Sequence, residues 1–333
     1  MIIKKPFSVF WFKRLRALFN PEQFQGWGIT RKYFEGWYFK VVNASGTKAF
    51  AFIPGIAMDK TGKSHAFIQV LDGIAKKSWY HNFETSLFVP SAGKFDLAID
   101  TNHFSSDSIT LDLPSIKGSL RFIDLVRWPD KWYSPGIMGP YTFAPFMECN
   151  HGIVSMDHAI EGSLEINGQI IDFTGGRGYT EKDWGHSFPL AYVWMQSNHF
   201  EAAGISFKAS VARVPWLTGA FTGFIAGLWF ANKLYSFTTY NKSNLKSMSV
   251  SDSVAEMEFE NHYYRLEARA LRDKSTPLAS PLRGLMDGRI EESMTCEVSI
   301  VLTDRKNERI IFSGTGRNSS IEVSGPVETL YPR

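Results

Sequence analysis

Tyr33-Phe34-Glu35-Gly36-Trp37-Tyr38-Phe39-Lys40 near the start of the chain and Tyr179-Thr180-Glu181-Lys182-Asp183-Trp184-Gly185-His186 past its middle share a spacing. Each has a Tyr, a Glu two residues later and then a Trp, and each leads into an aromatic run. That likeness suggests one structural unit used twice, with polar chemistry packed among rings at the start of each copy. The surroundings have strand character. Trp37–Val42 is aromatic and β-branched, and Asn43-Ala44-Ser45-Gly46 turns. Residues 48–53 alternate until Pro54-Gly55 breaks them, Asp59-Lys60-Thr61-Gly62 turns again, and His65–Leu71 reads as a further strand. More strands are expected at 78–83, 95–100, 103–107, 108–113 and 117–122. The second half repeats the plan at 192–199, 200–214, 228–240, 249–259, 262–270, 290–302 and 309–316. Closely spaced strands with Gly, Pro and Asn turns predict an all-β barrel or sandwich.

A length of 333 residues suits two domains. With 44% hydrophobic and 21% charged residues the chain can bury an ordinary core. Its 27 Phe, 12 Tyr and 10 Trp are an unusual endowment, and rings in such numbers fill wide β cores or line apolar cavities. A net charge of +3 is too small to imply nucleic acid, and no basic run with stacking aromatics appears beyond the N-terminus. Cys149 and Cys296 have no CxxC spacing, and their scarcity fits a reducing, cytoplasmic setting. Gly175-Gly176-Arg177-Gly178 has no βαβ unit around it, so no nucleotide cofactor is implied. His151 and His158 stand seven apart, on opposite faces of a strand, so no metal site is expected from them.

Three segments stand apart from the strand pattern. Lys4, Lys5, Lys13, Arg14 and Arg16 among Phe10, Trp11, Phe12, Leu15 and Phe19 predict a short basic amphipathic helix over 8–19. Such a helix caps the fold or touches an anionic membrane peripherally. Residues 214–232 carry no charge, but Pro215, Gly219, Gly223 and Gly227 interrupt them. They read as two buried strands around a turn rather than a membrane span. Residues 128–148 hold four Pro among bulky aromatics. That composition is too apolar for a solvated linker and predicts a lid, a cavity wall or packing between the domains.

Candidate chemistry concentrates after residue 178, where Tyr179, Glu181, Asp183, Trp184 and His186 are followed by Tyr192, Trp194, Gln196 and Asn198. On a strand beginning at Tyr192, Trp194, Gln196 and Asn198 share its face. A carboxyl in apolar surroundings stays protonated near neutral pH, and Trp and Tyr faces stabilise cations. The constellation suits a proton-initiated reaction on a hydrophobic olefin. The structural alternative for Glu35, Glu181 and Asp183 is a carboxylate tied to a neighbouring Arg or to backbone N–H groups, holding a barrel mouth.

The blocks Phe34-Glu35-Gly36-Trp37-Tyr38-Phe39-Lys40 and Tyr179-x-Glu181-Lys182-Asp183-Trp184-Gly185 resemble the tocopherol cyclase family. Phe188-Pro189, Trp194-x-Gln196-x-Asn198 and, upstream, Asn20-Pro21-Glu22-Gln23-Phe24-Gln25-Gly26 extend the resemblance. It implies two lipocalin-like antiparallel β-barrels in tandem: an amphipathic segment at 1–25, a first barrel at 26–178 and a second at 179–333. It also implies cofactor-free closure of a chromanol ring on a hydrophobic prenylated benzoquinol, by side-chain alkene protonation and attack of the phenolic oxygen. On that reading Asp183 is the proton donor, with His186 or Glu35 positioning or relaying the proton. Trp37, Trp184 and Trp194 line the cation site beside Tyr179, and Gln196 and Asn198 hold the quinol hydroxyls. Gly185-His186 departs from the glycines expected after Trp184. The alternative to an enzyme is a lipocalin-like carrier of the same kind of hydrophobic ligand.

Overall fold

The computed structural model describes residues 7–273 and 275–332, with the side chains of residues 7–9 outside that description, as are Lys4 and Lys5 of the basic segment. A single α-helix among these residues, α1 (Phe7–Leu18), precedes a chain of antiparallel strands. The first half contains β1 (Tyr33–Val42), β2 (Ala49–Met58), β3 (Ser64–Asp72), β4 (Lys77–Phe83), β5 (Phe88–Pro90), β6 (Asp96–Ile99), β7 (Asn102–Ser105), β8 (Ser108–Leu113), β9 (Ile116–Val126), β10 (Cys149–Ile166), β11 (Gln169–Asp172) and β12 (Arg177–Gly185). The second contains β13 (Tyr192–Ser197), β14 (Ser206–Trp216), β15 (Gly219–Phe230), β16 (Lys233–Thr238), β17 (Asn244–Val250), β18 (Val254–Glu260), β19 (Tyr264–Leu271), β20 (Thr276–Leu282), β21 (Leu285–Asp304) and β22 (Arg309–Ser324).

The strands form two lipocalin-like barrel sheets in tandem. The first runs β4-β3-β2-β1-β12-β10-β9-β8-β7-β6-β5 with β11 on β10, and the second runs β16-β15-β14-β13-β22-β21-β19-β18-β17 with β20 on β21. Strand β1 therefore occupies in the first sheet the place that β13 occupies in the second. The two look-alike stretches are not equivalent strands of two copies. They are neighbours, β1 and β12, paired antiparallel with Trp37 opposite Lys182 and Tyr38 opposite Glu181. The domain boundary expected after residue 178 falls inside β12, whose pairing with both β1 and β10 keeps Arg177–Gly185 in the first sheet. The chain crosses to the second sheet between Gly185 and Tyr192.

Apolar faces explain the arrangement. Trp37, Phe39, Phe52, Phe104 and Phe122 fill the first barrel, while Phe207, Phe237, Phe259 and Ile300 fill the second. A third cluster, with Tyr38, Leu71, Tyr179, Trp194 and Ile290, lies where the two sheets meet. Strands β1 and β12 are buried on both faces because one face lines the first barrel and the other meets the second. The uncharged stretch at 214–232 forms the end of β14 and all of β15, turning at Leu217-Thr218 with Leu217 at φ 50°. No helix among the described residues is long and apolar enough to cross a membrane. The strand expected at 228–240 is a hairpin, turning at Ala231 and Asn232, which hold φ 50° and 57°.

Candidate active site between the barrels

Side chains alternate across β1 and β12, so each strand contributes to two separate polar clusters. The first faces the interior of the first barrel. There Glu35, fully buried, lies 2.6 Å from Lys182 Nζ. Tyr33 Oη donates to the same carboxylate at 2.5 Å, and the N–H groups of Gln25 and Gly26 donate at 2.9 and 3.1 Å. Lys182 also donates to the carbonyls of Pro21 and Gln23, and its ammonium sits over the rings of Trp37 and Trp184 at 4.8 and 4.7 Å. Burial raises the Glu35 carboxyl and lowers the Lys182 amine, while their ion pair works in the opposite sense on both. Every donor and acceptor here is taken, and the cluster fixes the 21–26 segment onto the barrel.

The second cluster faces the other barrel. Tyr179, Glu181 and Asp183 alternate along β12, and His151 lies opposite Asp183 on β10. His151 Nδ1 donates to Asp183 Oδ1 at 2.7 Å, and His151 Nε2 is 3.3 Å from Glu181 Oε2 without hydrogen-bond geometry. Glu181 also accepts from Tyr179 Oη and from Trp194 Nε1, the latter at 3.1 Å. Burial works to raise Glu181, but His151, Lys208 and Tyr179 outweigh it and hold the carboxyl below its ordinary value. His151 is displaced upward: burial and Lys208 push it down, and Glu181 and Asp183 more than compensate. Lys208 is fully buried and lowered to about 8 by desolvation, and its ammonium has no hydrogen-bond partner among the described residues.

These groups border a cavity of about 190 Å³ between the sheets. Its polar wall includes His151, Glu181, Asp183, Lys208, Tyr192 and Glu322; facing it are Phe34, Phe67, Phe188, Phe221, Phe224 and Leu278. Met138, Tyr141 and Met147 of the proline-rich 128–148 segment close one side, so that segment is a cavity wall. It is anchored to the second sheet by Tyr240 Oη, which donates to the Ile137 carbonyl at 2.7 Å. The ligand atoms of His151, Glu181 and Asp183 lie within 4.8 Å of one another, a grouping that could hold a cation. Lys208 already supplies positive charge to the same two carboxylates.

The cavity brings together some of the residues singled out in the sequence and leaves out others. Asp183 and Trp194 line it, with Tyr179 bonded to Glu181 just behind. Glu35, Trp37 and Trp184 lie in the first barrel's core cluster or its ion pair, on the opposite strand face. His186 follows the end of β12, is exposed, and has Glu148 3.8 Å away as its ionic neighbour. Burial and then Lys32 lower its pKa. Gln196 and Asn198 are buried but bonded elsewhere. Gln196 Oε1 accepts from Lys40 Nζ at 2.9 Å, and Asn198 Nδ2 donates to Asp157 and to the Gly178 carbonyl. Sequence reasoning missed His151, Lys208 and Glu322 as cavity groups. His151 reaches the cavity because Cys149–Ile166 forms one long strand beside β12.

Tandem lipocalin-like barrels with an acid–histidine cluster walled in between them define the class of protein, and residues 121–325 match the tocopherol cyclase-like family, to which the chain belongs. It is 21% identical over 383 aligned positions to the probable chloroplastic tocopherol cyclase of Oryza sativa subsp. japonica, covering 94% of this chain and 80% of that protein. Among solved structures, CghA with Sch210972 superposes with a TM-score of 0.54 at 12% identity over 88% of each chain. Kievitone hydratase from Nectria haematococca gives 0.50 at 11% identity, again over 88% of each chain. A putative AttH from Nitrosomonas europaea gives 0.50 at 14% identity over 88% of this chain and 92% of that one. At these identities the three structures speak for the shared fold.

Proposed function

We propose that this protein is a cofactor-independent acid–base enzyme that closes a chromanol ring on a prenylated benzoquinol in the cavity between its barrels. Asp183 delivers a proton to the side-chain double bond. The positive charge develops on the more substituted carbon, the phenolic oxygen bonds to that carbon, and the phenolic proton leaves. Atoms balance, and the product is an isomer of the substrate. His151 orients Asp183 through its 2.7 Å hydrogen bond. Glu181 neutralises and holds the imidazole from the far side. The rings of Trp194 and Tyr192 border the place where the cation forms. The apolar wall limits water, which would otherwise capture the cation and give hydration instead of closure. The cavity measures about 190 Å³. It suits the reacting ring and adjoining prenyl unit, with a long tail extending beyond it.

The observation that carries this reading is the Asp183–His151–Glu181 chain opening onto an apolar cavity. The family supports a ring closure, and the rice relative's name supports a quinol-derived substrate. The test compares wild type with Asp183→Asn on a prenylated benzoquinol, following product by chromatography and binding by quenching of tryptophan fluorescence. Lost turnover with affinity kept within a few-fold is expected. Unchanged turnover removes Asp183 from the mechanism, and binding without turnover in wild type makes the protein a carrier.

A further inference from the structure

We infer that Glu292 and Glu322 form a proton-sharing carboxyl pair on the cavity wall, and that this pair takes up the proton released by a bound phenolic hydroxyl. The inference rests on the quinol reading above and supplies the base that it lacks.

Glu292 on β21 and Glu322 on β22 are direct cross-strand partners. Their side chains therefore leave the sheet on the same face, a few ångströms apart. Glu292 is fully buried and Glu322 lines the cavity. Each has a tyrosine from a different strand donating to it: Tyr38 Oη on β1 to Glu292 Oε1, and Tyr192 Oη on β13 to Glu322 Oε2 at 2.9 Å. Glu292 Oε2 is buried with no hydrogen-bond partner among the described residues. Two ionised carboxylates in that position repel, and an orphaned carboxylate oxygen in an apolar interior is costly. One proton on the pair removes the repulsion and leaves a single charge between them, as in other carboxyl dyads.

The surroundings bear this out. Glu181 and Asp183 on β12 face the pair with further negative charge, and Lys40 on β1 faces Glu292 with positive charge. Across the whole site Glu181, Asp183, Glu292 and Glu322 confront His151, Lys40 and Lys208, so acids outnumber bases. Burial raises Glu292 to about 7, with Tyr38 and Lys40 opposing. Burial, then Glu292, raises Glu322 well above the carboxylate range. A dyad that binds its second proton near neutrality is matched to general-base work there. In the reaction the phenolic O–H bond breaks as the new O–C bond forms, the proton passes to Glu322 on the cavity wall, and the proton Glu322 already holds moves to the Glu292 carboxylate. The dyad then carries two protons and Asp183 one fewer than before. Return of one proton from the dyad to Asp183, directly or through solvent, resets the site.

The experiment is infrared difference spectroscopy on the intact protein at pH 7, read at the carbonyl stretch of a protonated carboxylic acid. In an Asp183→Asn background, which removes the other acid of the mechanism, the protein should still show this band, adding Glu292→Gln or Glu322→Gln should lose it, and adding Glu291→Gln, an exposed neighbour, should keep it. Adding a methylated hydroquinone without a prenyl chain should shift the band. Tyr192→Phe, which keeps both carboxyls, should shift it without ligand, and so serves if a Gln variant does not fold. Turnover of a prenylated quinol should fall roughly 100-fold in Glu322→Gln, with one limb of the pH–rate profile lost. No band, a band that survives both Gln variants, or a band indifferent to the hydroquinone overturns the inference. If the band responds as described while no prenylated quinol is converted, the dyad stands and the cyclase reading falls.

Discussion

The same two strands, β1 and β12, build a closed polar cluster on one face and an open one on the other. Glu35 and Lys182 face the first barrel's interior, and their hydrogen-bonding capacity is used up by Tyr33, by backbone groups of 21–26 and by each other. Asp183, Glu181 and His151 face the second barrel, and there His151 Nε2, Lys208 Nζ and Glu292 Oε2 are left without hydrogen-bond partners among the described residues. Both clusters are carboxylate–cation groups among aromatic rings, and composition does not separate them. Unspent capacity does. A cluster whose every atom is satisfied holds the fold, and one with buried atoms to spare beside a cavity has something left to bind or to move.

Substitutions on each side should behave differently. After the loss of turnover in Asp183→Asn, the largest effect on rate is expected from His151→Asn, which removes the charge and the second nitrogen beside Asp183. Turnover should fall by roughly 10²–10⁴-fold, measured as kcat on a prenylated quinol. A fall in stability without a rate effect would place His151 with the closed cluster. Lys182→Met should do the reverse. It leaves Glu35 buried without its ion pair, and urea denaturation should show about 3–5 kcal/mol of lost stability while the folded fraction keeps its kcat.

Acid sharpens the contrast through two histidines. His158 is fully buried against Phe122, with ring centroids 4.3 Å apart, and burial lowers it to about 3. Its folded pKa lies below its unfolded one, so it costs nothing at neutral pH, and stability drops as pH falls below the unfolded value of about 6.5. At pH 5 that cost is about 2 kcal/mol, and His158→Phe should flatten the slope. His151 is displaced the other way. Its contribution is full below the unfolded value and fades as pH rises through the raised folded value, so His151→Asn should remove stability at pH 5 more than at pH 9. Denaturation midpoints across pH for the two variants check both signs. The smallest effect is expected from His186→Ala, which removes an exposed ring: turnover should stay within about twofold of wild type.

Strand alternation made most of this architecture legible. The turns at 43–46 and 59–62 and the glycine-broken run at 214–232 mark real hairpins. Tyr179, Glu181 and Asp183 could be placed on one strand face from spacing alone. Glu35 could not be sorted the same way, because the face a residue occupies depends on which strand lies beside it. Gly36, not Glu35, stands opposite Asp183, and that one-residue offset sends Glu35 to the other side of the sheet. Glu322, Lys208 and His151 come from β22, β14 and β10 and meet only through sheet order, which no local pattern encodes. Gln196 and Asn198 did share a face with Trp194, but that face continues past the cavity into the buried contact between the barrels.

The central claim is that Asp183 passes a proton to carbon. Incubating the protein with a prenylated benzoquinol in deuterated water, and locating the label in the product by mass spectrometry and NMR, tests this most directly. The account expects one deuterium on the side-chain carbon adjacent to the new ring ether carbon, and none formed by Asp183→Asn. Ring-closed product without that deuterium, or labelled product from Asp183→Asn at the wild-type rate, would contradict it.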